Sequence, residues 1–147
     1  MKLTSSAFDD GEEIPRRYSG EGKDVSPPLS WENVPDDARE FALVCEDPDA
    51  PGAEAWVHWV VYCIPGERTE LPEGSAGGAF EGANSWDRTG YGGPMPPPGH
   101  GTHHYHFRLY ALDATLDLPL GADKRALEKA MDEHVLDSAE LVGTYER

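Results

Sequence analysis

Two hydrophobic runs in the middle of the chain lack any polar alternation. Phe41-Ala42-Leu43-Val44-Cys45 is short and apolar, and Glu46-Asp47-Pro48 stops it. A run of that length bounded by turn residues predicts a buried strand. After a Pro/Gly turn over residues 48–52 comes Trp56-Val57-His58-Trp59-Val60-Val61-Tyr62-Cys63-Ile64, which is β-branched and aromatic until Pro65-Gly66 ends it. A strand apolar on both faces belongs at the centre of a sheet. The segment His103–Leu112 alternates instead. His103, Tyr105, Phe107 and Leu109 fall on one face, and His104, His106, Arg108 and Tyr110 on the other.

The rest of the chain is less regular. Residues 1–40 read as irregular chain with short strands, punctuated by turn signals at Asp9-Asp10-Gly11, Ser19-Gly20 and Pro27-Pro28. Residues 72–102 are rich in Gly and Pro. A stretch that long inside a compact domain either has a function or hides short strands. One helix is predicted over Lys124–Leu136, with Asp123 as N-cap and an apolar stripe of Leu127, Ala130, Met131 and His134-Val135. Leu136 to Thr144 reads either as a second short helix or as a terminal strand. With no internal repeat or linker, residues 1–147 are expected to form a single domain. The pattern is mainly β with late helical structure, which suggests a sandwich with a helical appendage. The high Gly and Pro counts, 16 and 13, argue against a helical bundle.

Charge narrows the partners. The net charge of -16 repels nucleic acid and anionic membranes, and no basic patch offsets it. A high-salt cytoplasm would suit such a surface, because at about 1 M ionic strength the Debye length falls to roughly 3 Å. No run approaches a membrane span, and the first residues lack a signal-peptide core, so a cytoplasmic location is expected. The two cysteines, Cys45 and Cys63, sit in apolar runs and are expected to be buried free thiols.

Candidate chemistry lies in three places: Asp47-Pro48-Asp49-Ala50-Pro51 at a strand end, His58 between Trp56 and Trp59, and the loop from Gly93-Pro94 through Gly99-His100-Gly101 to His103-His104-Tyr105. Each has an ordinary reading alone: a turn former, a core histidine, a loop. A hairpin with Asp47 opposite His58 would pair Cys45 with Val60 and Cys63 with Ala42, giving no disulfide. It would also set a carboxylate beside an imidazole, which favours the imidazolium and fixes the ring. His103 could then enter from the next strand, and free backbone N–H groups of the Gly/Pro loop would complete an anion cradle. The cluster His100, His103, His104, His106 invites a metal reading. It lacks the i, i+4 pair of a helical zinc site and has no Cys nearby, so neither metal nor cofactor is expected.

Taken together, Asp47-Pro-Asp-Ala-Pro51, Trp56-Val-His58 and Tyr91-Gly-Gly-Pro94…Pro97-Pro98-Gly-His100-Gly…His103-His-Tyr105 follow the order and spacing of the phosphatidylethanolamine-binding protein family. The chain most resembles its compact bacterial and archaeal branch, often called YbhB/YbcL-like. Ser26-Pro-Pro-Leu-Ser-Trp31, Leu71-Pro-Glu-Gly74 and Leu141-Val-Gly-Thr-Tyr145 extend the resemblance over nearly the whole chain. It implies an antiparallel β-sandwich with a C-terminal helix. It also implies a small pocket for phosphate, acetate or phosphoethanolamine-like groups, walled by Asp47, Asp49, Pro51, Trp56, His58, Gly93, Pro94, His103 and Tyr105, with a cis Ala50–Pro51 bond. Relatives in this branch are often homodimers, and that expectation carries over.

Two departures stand out: His104 where the family often has Arg, and Asn84-Ser-Trp-Asp-Arg-Thr-Gly90 where Asn-Asp-Phe-Gly is common. The expected function is reversible binding of a small anionic or zwitterionic phosphorylated ligand, without chemistry. The rivals are a hydrolase using the Asp47/His58 pair, which lacks an evident nucleophile, and a protein-interaction module of the kinase-inhibitor kind.

The salt reading has a direct check. Melting curves in KCl should show stability rising from low to molar salt, and equal stability across that range contradicts it.

Overall fold

A computed structural model describes residues 1–147. The strands in chain order are β1 (Lys2–Thr4), β2 (Leu29–Glu32), β3 (Glu40–Asp47), β4 (Trp56–Pro65), β5 (Glu70–Leu71), β6 (Phe80–Glu81), β7 (His103–Leu112) and β8 (Val135–Tyr145), with one α-helix, α1 (Lys124–Met131), between β7 and β8. They form a three-stranded sheet, β1-β2-β5, and a five-stranded sheet, β6-β4-β3-β7-β8. All strand pairs are antiparallel. The loop-rich stretch did hide a short strand, β6.

The hydrophobic pattern explains the layering. The inner face of the large sheet presents Phe41, Leu43, Trp59, Val61, Phe107 and Leu109 to Leu3, Leu29 and Trp31 of the small sheet. Its outer face presents Ala42, Val44, Val60 and Tyr62 to Leu127 and Met131 of α1. Strand β3 is therefore buried at every position, and β4 has no polar alternation because both its faces are covered. On β7, His103, Tyr105, Phe107 and Leu109 are buried, as the alternation predicted.

Helix α1 begins as predicted, with Asp123 Oδ1 accepting the Ala126 N–H at 2.9 Å. It stops at Met131, five residues before the predicted end at Leu136. Asp132 leaves helical geometry at ψ 130° and Glu133 turns left-handed at φ 68°. His134 and Val135 fell in phase with Leu127 and Met131 by coincidence; Val135 starts an eleven-residue strand. Of the two readings of the C-terminal segment, the strand is the one that forms.

The β3–β4 register differs from the predicted hairpin, and the difference matters for the site. Near Glu40 and Phe41 the pairing is as expected, with Phe41 opposite Ile64. Leu43 then pairs with Val61, so an extra β4 residue is accommodated near Cys63, whose φ is 57°. Cys45 pairs with Trp59, not Val60, and Glu46 pairs with Val57. His58 is thus the surplus residue of a second irregularity, and Asp47 lies opposite Trp56 rather than His58. Such bulges re-aim side chains. Here His58 and Trp59, although consecutive, both turn inward: Trp59 joins the core between the sheets and His58 packs on Tyr105, ring centroids 5.1 Å apart. A strand apolar at every position carries no period-2 signal, so its sequence could not reveal where the register slips.

Both cysteines are free, as expected, although Cys63 is half-buried and not fully covered.

Candidate functional site

The inner layer of the sandwich ends where β3 finishes and β4 and β7 begin, and a cavity of about 290 Å³ opens there. Its floor is formed by Asp47, His58, His103 and Tyr105, with Pro51 and Trp56 beside them. These four polar residues are almost sealed, with exposures of 2, 4, 1 and 1%. A buried polar group must be hydrogen-bonded or it costs stability, so the bonds they make show what is left for a ligand.

Asp47 serves His103 rather than His58. His103 Nδ1 lies 2.7 Å from Asp47 Oδ2, and the Asp49 N–H donates to Asp47 Oδ1 at 2.8 Å. The expected Asp47–His58 pair does not form, because the bulge rotates His58 away from the β3 end. His58 is held from the opposite side: its Nδ1–H donates to the Gly92 carbonyl at 2.7 Å, and the Gly92 N–H donates to the His58 carbonyl at 2.9 Å. A ring nitrogen facing a carbonyl must carry the proton, which leaves Nε2 as an acceptor in the neutral ring. His58 and Tyr105 both line the cavity; no close protein hydrogen bond engages His58 Nε2, and the Tyr105 hydroxyl has only the Asp47 carboxylate beside it.

The loop glycines do not supply the free N–H groups expected of them. That of Gly92 is used by His58, and that of Gly93 donates to Asp24 Oδ1 at 2.7 Å. Both positions need glycine for close approach. A Cβ on Gly92 would meet Trp86 Cζ3 at 2.4 Å, and one on Gly93 would meet the Tyr18 carbonyl oxygen at 2.2 Å. Gly93 and Pro94 are buried behind the wall and do not line the cavity, and neither does Asp49. Asp49 Oδ2 instead pairs with His104 Nδ1 at 2.8 Å on the exposed side of the strand end. Burial alone would raise the Asp49 pKa; the hydrogen bonds from His104 outweigh it and hold the carboxyl below its usual range. The Ala50–Pro51 bond is trans, contrary to the implied cis geometry. The chain reverses instead through the turn that Asp47 caps and through Gly52 at φ 125°.

Several wall residues were not foreseen. Trp86 stands edge-on to His58 at 5.0 Å and to Trp56 at 5.5 Å between ring centroids. Asn84 positions it, accepting the Trp86 and Arg88 N–H groups and donating to the Gly90 carbonyl. The unusual 84–90 segment therefore contributes a wall of the cavity; its Asn-turn-Gly pattern with an inserted aromatic was the available signal. Met95, Pro96 and Pro97 form an apolar rim, and Ala50 completes the wall. Arg147 anchors that rim from the C-terminus, donating from Nε to the Pro96 carbonyl at 2.6 Å.

The electrostatics follow from the burial. Desolvation pushes the His58 pKa below its ordinary value, against the pull of the Gly92 and Gly93 carbonyls and the Asp47 charge. Burial, and then the Asp47 charge, pushes the Tyr105 phenol far up, so it stays a protonated donor. No lysine or arginine lines the cavity.

The sequence matches the model of the phosphatidylethanolamine-binding proteins over residues 4–146. The chain belongs to the phosphatidylethanolamine-binding protein family. Among its relatives, a UPF0098 protein of Methanothermobacter thermautotrophicus is 48% identical, the match covering 100% of this chain and 99% of that one. The fold agrees. A phosphatidylethanolamine-binding protein homolog from Chlamydia trachomatis superposes with a TM-score of 0.94 at 42% identity, covering 99% of this chain and 97% of the other. Escherichia coli YbcL, described as a member of the mammalian family, superposes at 0.91 with 32% identity, covering 99% and 98%. In this member of the phosphatidylethanolamine-binding family, the cavity lies at the end of the sandwich where β3 finishes and β4 and β7 begin.

His58 makes a prediction about stability. Its folded pKa is depressed, so near and below the ordinary imidazole value the unfolded chain binds more protons than the folded one. Stability is then full above that value and is lost as pH falls. Thermal melts between pH 7.5 and 5 should show a shallower acid loss in His58→Asn than in the parent. Identical pH slopes in the two proteins contradict a buried neutral imidazole.

Proposed function

We propose that the protein reversibly binds a small phosphate-bearing or other anionic head group, recognised by the Tyr105 hydroxyl as donor and His58 Nε2 as acceptor. The observation that carries this reading is that His58 and Tyr105 stand side by side on the floor of one cavity, ring centroids 5.1 Å apart, with His58 Nδ1 tied to Gly92 and its Nε2 left for a ligand. Membership of the family supports it.

The charges decide which form of ligand fits. The floor holds a carboxylate, Asp47, and the wall holds no lysine or arginine, so a free dianion is disfavoured. A ligand oxygen that accepts from Tyr105 and a second that carries a proton toward His58 Nε2 satisfy both atoms. A ligand arriving as a dianion must therefore be accompanied by one proton, held on the ligand or on His58. By linkage, affinity falls as pH rises. The apolar rim of Trp56, Trp86, Met95, Pro96 and Pro97 suits an organic substituent on the phosphate, as in phosphoethanolamine. Two or three hydrogen bonds to charged groups, each about 1.5–3 kcal/mol before entropy costs, correspond to millimolar to micromolar affinity.

Bond-making chemistry is disfavoured by the same geometry. No thiol lines the cavity; Cys45 is buried in the core, and burial pushes the Cys63 thiol up to about 11.

Calorimetry with phosphoethanolamine at pH 7, in two phosphate-free buffers of different ionisation enthalpy, tests the proposal. The observed heat should differ between buffers in the sense of proton uptake, and Tyr105→Phe should weaken binding about tenfold. Buffer-independent heats together with full affinity in Tyr105→Phe refute it.

A further inference from the structure

His100 belongs to the motif loop and to the histidine cluster of the sequence, and it does not line the cavity. It nevertheless controls one of the floor residues. His100 Nδ1 lies 2.7 Å from His103 Nε2, and His103 Nδ1 lies 2.7 Å from Asp47 Oδ2. Two imidazole nitrogens at that distance share a single proton, one donating and the other accepting. His103 therefore has both nitrogens engaged inside the protein. The ring that resemblance placed in the binding wall has no valence left for a ligand while His100 is in place.

The mounting of His100 differs from that of His103. His103 is buried on β7, whereas His100 is exposed on the rim loop between Gly99 and Gly101, which adopt φ values of 75° and 89°. A Cβ at either glycine would have nothing within 4 Å, so the loop is open on that side, although the Gly99 N–H donates to the Arg147 carbonyl at 3.0 Å. The His100 backbone is held by one turn, its N–H donating to the Pro97 carbonyl at 3.1 Å. Rotation of the His100 side chain breaks the imidazole–imidazole bond without disturbing the core.

We propose that His100 is a specificity-determining gate: while it occupies His103 Nε2 the cup offers an anion two contacts, and when it swings away His103 supplies a third that favours a tetrahedral oxyanion over a planar one. This rests on the anion-binding reading above. With the gate closed, the pair His58 Nε2 and Tyr105 Oη matches the two oxygens of a carboxyl group as well as two of a phosphate. With it open, a second P–OH of a dihydrogen phosphate can donate to His103 Nε2, whose Nδ1–H stays on Asp47. A carboxylate has no third oxygen and gains nothing comparable. His100 thus acts through His103, as a positioning residue and not as a contact.

The test compares inorganic phosphate and acetate as probes, by calorimetry or by imidazole chemical shifts, on the parent protein, His100→Ala and His100→Gln. The ratio of phosphate to acetate affinity should rise about tenfold in His100→Ala, the worth of one added charge-assisted hydrogen bond. It should stay near the parent value in His100→Gln, whose amide can still donate to His103. A merely structural role for His100 would change both affinities together and leave the ratio alone. An unchanged or lower ratio in His100→Ala overturns the gate. If the parent protein binds neither probe, the two-contact reading of the site fails on its own; phosphate binding that appears only in His100→Ala would still support the gate, and its absence there would overturn that as well.

Discussion

The site depends on one hydrogen bond, from His58 Nδ1–H to the Gly92 carbonyl. It fixes the tautomer of a buried imidazole and so makes its other nitrogen an acceptor in the cavity. The bond exists because β4 carries a surplus residue at His58, which turns two successive side chains inward, and because Gly92 lets the loop backbone come close beneath the Trp86 ring. Trp86 in turn is held by the Asn84 side chain. A register slip, a glycine and an asparagine turn together set the polarity of one atom, on which, with Tyr105, the proposed ligand selectivity rests.

The protein's charge is arranged consistently with this. Its net charge is -16, and several of its few cations are committed elsewhere. Arg108 and Lys124 both pair with the buried Glu46 on the helix-covered side of the large sheet, and Arg108 also bonds Glu140 of β8. Removing both would strand Glu46 as a buried charge, so these cations are structurally bound. The cup therefore does not use a fixed positive charge. In the proposed function it recognises an anion with a hydroxyl and an imidazole, and the proton that neutralises the ligand comes from solution.

The layering was legible in the sequence. The unbroken apolar runs at 41–45 and 56–64 identified strands covered on both faces, and the alternation of 103–110 named the residues that β7 buries. The grouping of Asp47, Pro51, Trp56, His58, His103 and Tyr105 was implied by the family resemblance, and they meet because the ends of β3, β4 and β7 do. The wiring among them was not legible. Bulges in an all-apolar strand leave no trace in the pattern, so the sequence suggests His58 as the partner of Asp47, which in the structure belongs to His103. The N–H groups of Gly92 and Gly93 could not be known to be engaged without the 24 and 58 positions folded against them. Trp86 and His100 were visible as residues, but their roles depend on loop paths set by tertiary contacts. The helix end was missed because His134-Val135 continued the apolar stripe in phase while Glu133 had already left helical backbone.

The most direct measurement is the ¹⁵N spectrum of the His58 imidazole in the free protein and during titration with inorganic phosphate at neutral pH. The structure predicts a neutral ring with the proton on Nδ1 before addition, and a shift of Nε2 toward the protonated or hydrogen-bonded range at saturation, with Nδ1 little changed. A proton on Nε2 in the free protein, or an Nε2 signal indifferent to saturating phosphate, would contradict the account.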